Sequence, residues 1–115
     1  MRLEVQKYLF DIQEACQLLT EFTAGKTFED YVSNAMLRSA VERQFEIVGE
    51  ALNQMLKLEP DLAESITDCR RIVDFRNLLI HAYAKVSNQV VWGIVESNLP
   101  VLYREISQLL EERVN

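Results

Sequence analysis

The two residues best suited to catalysis lie close together in the sequence. Arg76 precedes His81, the only histidine in the chain, by five positions. An arginine side chain keeps its charge when buried and binds phosphate through two parallel hydrogen bonds. An imidazole is the side chain best suited to proton transfer near neutral pH. The pair therefore combines a phosphate-binding group with a proton-transfer group.

Arg76 interrupts the apolar stripe of a predicted helix. The stripe consists, at helical spacing, of Cys69, Ile72, Val73, Leu79, Ile80 and Tyr83. A guanidinium on such a stripe needs partners, because it cannot lose its charge. Two interpretations stay open. Arg76 forms a buried ion pair with Glu46 or Glu50 of the preceding long helix, or it faces a groove or subunit interface where it meets a phosphate.

The spacing of Arg76 and His81 places the two side chains about 140° apart around an ideal helix, at about 100° per residue. They converge only if the helix ends near His81 or if a second copy of the chain supplies one of them. Asn77, four residues before His81, lies on nearly the same face and is positioned to orient the imidazole. Tyr83 returns to the face of Arg76 if the helix continues. By spacing alone, His81 and Tyr83 can also be structural, with a hydrogen-bonded tyrosine hydroxyl in the core or an interface.

Other kinds of catalytic site find little support in the sequence. The chain has three glycines and no phosphate-binding glycine loop, and no serine, cysteine or aspartate forms a recognisable triad with His81. One histidine and two separated cysteines, Cys16 and Cys69, give no metal-ligand spacing. We therefore predict no cofactor and no metal. Both cysteines are predicted to be small buried hydrophobic residues in a reducing compartment.

Charge is unevenly distributed along the chain. The net charge is −6, but residues 70–85 carry a balance of +3 and the remainder −9. A basic spot on an acidic body suits one locally held anionic ligand or an acidic partner, and chance variation is the alternative. Glu4, Asp11 and Glu14 argue against a signal peptide, and no apolar run approaches the roughly 18 residues of a membrane span. We predict a cytoplasmic protein without membrane contact.

Hydrophobic periodicity predicts four long helices. Their approximate ranges are 3–22, 33–57, 69–82 and 89–113, with short helical turns near 27 and 61–66. Such helices with short links favour an all-α, antiparallel four-helix bundle formed by a single domain, residues 1–115. The core stripes are predicted to include Tyr8 and Phe22 in the first helix and Gln44 in the second.

Several residues are predicted to begin or end these helices. Gly25 ends the first, Thr27 with Asp30 forms a capping arrangement, and Asp68 caps the third. Ser87 or Asn88 caps the fourth helix. Pro100 either kinks that helix or follows a new start capped by Asn98.

Residues 76–83, RNLLIHAY, resemble the R-N-x-x-x-H-x-Y signature of HEPN proteins, specifically the HepT-like toxins. Residues 45–52, FEIVGEAL, are similar to the E-I-x-G-E-A-L segment of the same family. Val91-Trp92 followed by Asn98-Leu99-Pro100 resembles the family's last helix. Length and helix order also agree, so the resemblance covers nearly the whole chain.

The resemblance implies a metal-independent endoribonuclease toxin that acts as a homodimer, within a type VII-like HEPN/MNT toxin–antitoxin system. The RNA 2′-hydroxyl would be the nucleophile, His81 would assist proton transfer, and Arg76 would stabilise charge on the phosphate. Asn77 and Tyr83 would support the site. The products would be a cyclic phosphate and a 5′-hydroxyl, and the target, for example tRNA or mRNA, is left open.

The resemblance also implies a partner, an MNT-type nucleotidyltransferase antitoxin that attaches AMP to Tyr83. A bulky anionic group beside Arg76 would block RNA by size and by charge. DNA is not expected as a ligand. The alternative function is a non-catalytic helical subunit that binds a nucleotidyltransferase or a nucleotide.

Overall fold

Five α-helices build the chain in the computed structural model, which describes residues 2–114 and the side chains of all of these except 83, 113 and 114. The helices are α1 (Leu3–Thr23), α2 (Phe28–Ser33), α3 (Ala35–Leu58), α4 (Cys69–His81) and α5 (Asn88–Val114), with 3₁₀ turns at Pro60–Ser65 and Tyr83–Lys85. No strand occurs within residues 2–114. The predicted all-α bundle of four long helices with short additional turns is therefore confirmed.

Helix α1 is central to the packing, because it contacts both α3 and α5, and α3 in turn contacts α4. All six residues of the predicted stripe on α5 are buried, namely Val91, Val95, Leu99, Leu102, Ile106 and Leu109. Apolar residues at helical spacing bury one face of each long helix, which supplies the main driving force for the fold.

The predicted stripe of α1 is confirmed at Tyr8 and Phe22, which are half-buried and pack against the core. The predicted stripe of α3 was wrong at Gln44, which is half-buried and outside the core. Phe45, next to Gln44, takes the core position instead and meets Phe75 of α4 edge-on, with ring centroids 5.5 Å apart. The reason is that α3 packs against α1 and α4 together, so its buried face is wider than a single stripe.

The beginnings of the helices follow local hydrogen-bonding rules. Thr27 and Asp30 form the predicted capping box, with bonds of 3.1 and 2.9 Å. Hydrogen bonds from the backbone and side chain of Thr27 lower the pKa of the Asp30 carboxylate. Ser87 accepts a 3.1 Å bond from the backbone N–H of Val90, so it is the residue that caps α5. Asn34 caps α3 through a 3.0 Å bond, which places the start of that helix after Ser33.

The start of α4 is fixed differently from the prediction. Asp68 makes no capping bond, because its backbone is in the left-handed region (φ 57°) and its carboxylate accepts a 3.0 Å hydrogen bond from Asn98. Glu105 of α5 accepts two further bonds, both of 2.8 Å, from the backbone N–H and hydroxyl of Thr67. Asn98 lies inside the continuous helix α5, as does Pro100, so the alternative of a new helix at Asn98 is wrong.

Cys16 and Cys69 are both free and buried, which confirms their prediction as small core residues. Burial raises the pKa of both thiols, that of Cys16 to about 12. Among the helices described, none is long and apolar enough to cross a membrane.

Tyr31 supplies a test of the core. Its ring is buried 5.4 Å from that of Trp92, and its hydroxyl finds no hydrogen-bond partner among the described residues. A buried hydroxyl without a partner costs about 1–3 kcal/mol. We therefore predict that Tyr31→Phe raises the free energy of unfolding in urea, whereas Tyr8→Phe, at a half-buried position, changes it little. Destabilisation by Tyr31→Phe would contradict this prediction and indicate a hydroxyl partner.

Candidate active site

The candidate site begins where α3 and α4 touch, at Gly49. A Cβ built on this buried glycine would overlap the Cβ of Arg76 and lie 2.7 Å from its Cγ. Any residue except glycine at position 76 carries a Cβ, so the glycine reflects the close approach of the two helices. Because of this approach, the arginine stem starts directly on the surface of α3.

Arg76 is held by side chains from both helices. Its Nη2 forms an ion pair with Oε2 of Glu50, and its Nη1 donates a 2.8 Å hydrogen bond to Oδ1 of Asn77. Oε1 of Glu50 in turn accepts a 2.9 Å bond from Gln54. Arg76 is thus paired with Glu50, as one of the two interpretations predicted, but the pair is not buried. Glu46 instead pairs with Arg43 of its own helix at 3.4 Å.

The ion pair is not sealed from solvent, since the Arg76 side chain is 21% exposed and that of Glu50 is 44% exposed. The inner part of the guanidinium is covered more completely. The Nε atom of Arg76 is buried and has no hydrogen-bond partner among the described residues. Arg76 therefore keeps its Nε atom against the protein, while about a fifth of its side chain, 21%, remains exposed.

The exposed part of Arg76 faces a groove of about 370 Å³ between α1, α3 and α4. Its charged lining consists of Asp11, Arg43, Glu46, Glu50 and Arg76. Each of these three acids has a basic partner, since Asp11 is paired with Lys7 at 2.9 Å. The groove is therefore a network of local ion pairs rather than a strongly charged surface.

His81 occupies the last position of α4, where the helix ends at Ala82. The imidazole is exposed and does not line the groove of Arg76. The imidazole makes no hydrogen bond to any of the described residues. Asn77, which was predicted to orient it, accepts a hydrogen bond from Arg76 instead. The structure therefore brings Asn77 to Arg76, and leaves His81 on another face of the helix.

Leu78, three residues before His81, shares its exposed face. Leu78 and Val90 are about half exposed, and both line a groove of about 230 Å³ between α4 and α5. Ile80, predicted to lie in the core, is also 41% exposed and sits at the rim of the Arg76 groove. The end of α4 thus carries an apolar surface next to the histidine.

The remaining predicted site residue is Tyr83. It begins the 3₁₀ turn that follows α4, two residues after His81. Its side chain lies outside the described side chains, so its place in the site stays a prediction. Within the described residues, no cluster of histidine, cysteine and acidic side chains is arranged to hold a metal ion.

Sequence reasoning did not assign the roles of Gly49 and Gln54 in holding Arg76. The available signal was a glycine in the middle of an otherwise strong helical pattern, which commonly marks close packing. Nothing comparable marks Gln54, because a glutamine four residues from a glutamate is common on helix surfaces.

The sequence profile described as "Ribonuclease HepT-like" matches residues 12–109. The chain therefore belongs to the HepT-like ribonuclease family. This membership supports a ribonuclease-like function.

Individual relatives agree with this assignment. A protein of Thermococcus cleftensis, named as a probable ribonuclease HepT, is 34% identical over 95% of this chain and 98% of its own length. A protein of Caldanaerobacter subterraneus, which is named provisionally as an RNase, is 31% identical over 91% of this chain and 93% of its own length.

A longer relative occurs in Methanocaldococcus jannaschii and is named as a gamma-glutamylcyclotransferase and, provisionally, an RNase. It is 33% identical over 97% of this chain, but the chain spans only 50% of that protein's length. No solved structure matches the chain significantly.

The two glycines at helix positions 49 and 93 give opposite predictions. Gly49→Ala should lower the free energy of unfolding by about 1–3 kcal/mol, because the added methyl must push α3 and α4 apart. Gly93 in α5 has open space around its Cβ position, so Gly93→Ala should raise stability by about 0.5–1 kcal/mol. Thermal and urea unfolding of both variants measure these changes. Equal effects in the two variants would show that the contact at Gly49 is looser than described.

Proposed function

We propose that this chain is a metal-independent endoribonuclease whose active site forms between two copies. The observation that carries the proposal is the placement of Arg76 in a groove and of His81 on another, exposed face at the end of the same helix. One copy separates the two groups, and a second copy docked on the end of α4 would bring its own His81 toward Arg76. Membership of the HepT-like ribonuclease family supports this chemistry.

The proposed surface of contact is the exposed end of α4, which carries Leu78 and His81 on one side and Ile80, at the rim of the Arg76 groove, on the other. Half-exposed apolar side chains around a shallow groove favour association, because burying them removes apolar surface from water. A two-fold axis would apply the same patch of both copies to each other. The two histidines would then lie close to this interface.

The proposed reaction is an internal transesterification of RNA. The 2′-hydroxyl oxygen bonds to phosphorus, and the bond from phosphorus to the 5′-oxygen breaks. The 2′-hydroxyl gives up one proton and the departing 5′-oxygen takes up one, which yields a cyclic phosphate and a 5′-hydroxyl. His81 serves in this proton transfer, and the guanidinium of Arg76 stabilises negative charge on the phosphate.

The charge near α4 supports an RNA substrate. Arg70, Arg71 and Lys85 are all exposed, and Asp74 is the only acidic residue between positions 70 and 85. The rest of the chain is acidic and repels phosphate, so favourable RNA contacts concentrate at this end of the molecule. Binding should weaken as salt rises, since these contacts release counterions.

Arg76→Ala and His81→Ala should each abolish cleavage of total RNA in the presence of EDTA while the protein stays folded. For His81→Ala the fold should be unaffected, because the side chain is exposed. Mixing the two inactive variants should restore part of the activity, because a mixed dimer contains one site with both an intact arginine and an intact histidine. Gel analysis of the RNA and circular dichroism of each variant give the two measurements.

Several results would count against the proposal. Full cleavage by folded His81→Ala would end the role of the histidine, and an inactive mixture would argue against a site shared between copies. Failure of the parent protein to cleave RNA, combined with binding to a nucleotidyltransferase, would favour the non-catalytic alternative.

The wider biological role is also part of the proposal. The chain would act as a toxin, and an MNT-type nucleotidyltransferase antitoxin would inactivate it by transferring AMP from ATP to the hydroxyl of Tyr83, with release of pyrophosphate. Tyr83 follows His81 by two residues, so an added AMP would place a bulky anion beside the site.

Tyr83→Phe separates modification from simple complex formation, since it keeps the ring and removes the acceptor oxygen. The variant should remain toxic to growing bacteria even when the nucleotidyltransferase is co-expressed, whereas the parent chain is neutralised. Mass spectrometry should find AMP on the parent and none on the variant. If the partner neutralises both chains equally and no AMP is found, inhibition proceeds through binding alone.

A further inference from the structure

The structure assigns to Glu50 the role of a positioning residue that holds Arg76 in place for phosphate binding. This inference rests on the proposed ribonuclease function, in which Arg76 binds the phosphate. It also gives a physical role to Gly49-Glu50 in the segment at 45–52, where the glycine seats the arginine stem and the next residue binds its guanidinium.

Arginine has a long, flexible side chain, and fixing it costs conformational entropy. In this protein, three contacts restrict it before any ligand arrives. The first part of the stem lies against Gly49, Nη2 pairs with Glu50, and Nη1 donates to Asn77. A phosphate-binding group fixed in advance contributes more to a transition state than one that must be ordered during the reaction.

Glu50 is itself fixed, which distinguishes it from an ordinary surface ion-pair partner. Its Oε1 accepts a 2.9 Å bond from Gln54, so its two carboxylate oxygens serve two different neighbours. A carboxylate held from both sides is suited to remain in place when RNA binds. Each Nη atom of Arg76 carries two hydrogens, and one on each is left for a phosphate oxygen after the bonds to Glu50 and Asn77 are made.

The same groove provides a matched control. Glu46, one turn earlier on α3, also lines the groove, but it pairs with Arg43 of its own helix and not with Arg76. Glu46→Ala therefore removes a similar charge from a similar place without releasing Arg76. It separates a loss of positioning from a general change in groove charge.

Steady-state cleavage of a short RNA tests the inference through the split between kcat and KM. Glu50→Ala should lower kcat by about ten- to a hundredfold, the cost of misplacing a catalytic group by about 1 Å. Glu50→Gln keeps an oxygen that can accept from Nη2, so it should retain most of the activity. Glu46→Ala should keep the kcat of the parent and change only KM, because it removes a groove charge without releasing Arg76. Unchanged kcat in Glu50→Ala would overturn the inference. Tighter RNA binding by that variant without loss of kcat would do so as well, because it would make Glu50 a competitor of phosphate.

A second measurement does not depend on RNA cleavage. The buried Nε–H of Arg76 should give a resolved, slowly exchanging signal in nitrogen–proton spectra of the whole protein, assigned by its disappearance in Arg76→Lys. The signal should persist in Glu46→Ala and Glu50→Gln and be broadened or lost in folded Glu50→Ala. An unchanged signal in Glu50→Ala overturns the positioning role. If the Nε–H signals of the variants behave as expected but the parent protein cleaves no RNA, Glu50 keeps its role in holding Arg76 and the proposed function is overturned.

Discussion

The contact between α3 and α4 at Gly49 is the constraint on which the candidate site depends. If a side chain at position 49 held α3 and α4 apart, the stem of Arg76 could not lie directly on the backbone of α3. With no side chain at position 49, the arginine starts at the surface of α3, and its guanidinium reaches Glu50 one residue further along. The fold and the site therefore share a single close approach, and a change there affects both.

This arrangement also explains how a charged residue is accommodated on an apolar stripe. Isolated burial of a guanidinium is strongly unfavourable, and here the charge is neutralised by one carboxylate while the side chain keeps partial contact with solvent. The neighbouring residues Ile72, Val73 and Leu79 remain buried around it. Arg76 thus belongs to the core through its stem and to the surface through its charge.

Much of the fold could be predicted from the sequence because it follows from local rules. Hydrophobic spacing identified the four long helices, and side-chain hydrogen bonding identified the capping box at Thr27 and Asp30. The error at the start of α4 occurred where a distant residue competes for a group. Asp68 bonds to Asn98, thirty positions away, and so does not cap its own helix.

The same reasoning applies to the candidate site. The ion pair of Arg76 followed from charge and burial, and the choice between Glu46 and Glu50 required the actual approach of the helices. Asn77 was placed correctly on the helix, but its recorded bond goes to Arg76, whose position could not be read from spacing. The angular separation of Arg76 and His81 was predictable, because it depends only on helix geometry.

The anchoring of α4 limits how the proposed shared site can assemble. The segment leading into the helix is fixed to α5 through Thr67 and Asp68, and its middle is fixed to α3 through Arg76. Only about one and a half turns extend beyond Arg76 to His81. This end of the helix is short and stiff, so it cannot bend far toward a ligand. A catalytic pair drawn from two such helices would be aligned by how the two bodies dock, so its precision would be set by the rigidity of the interface.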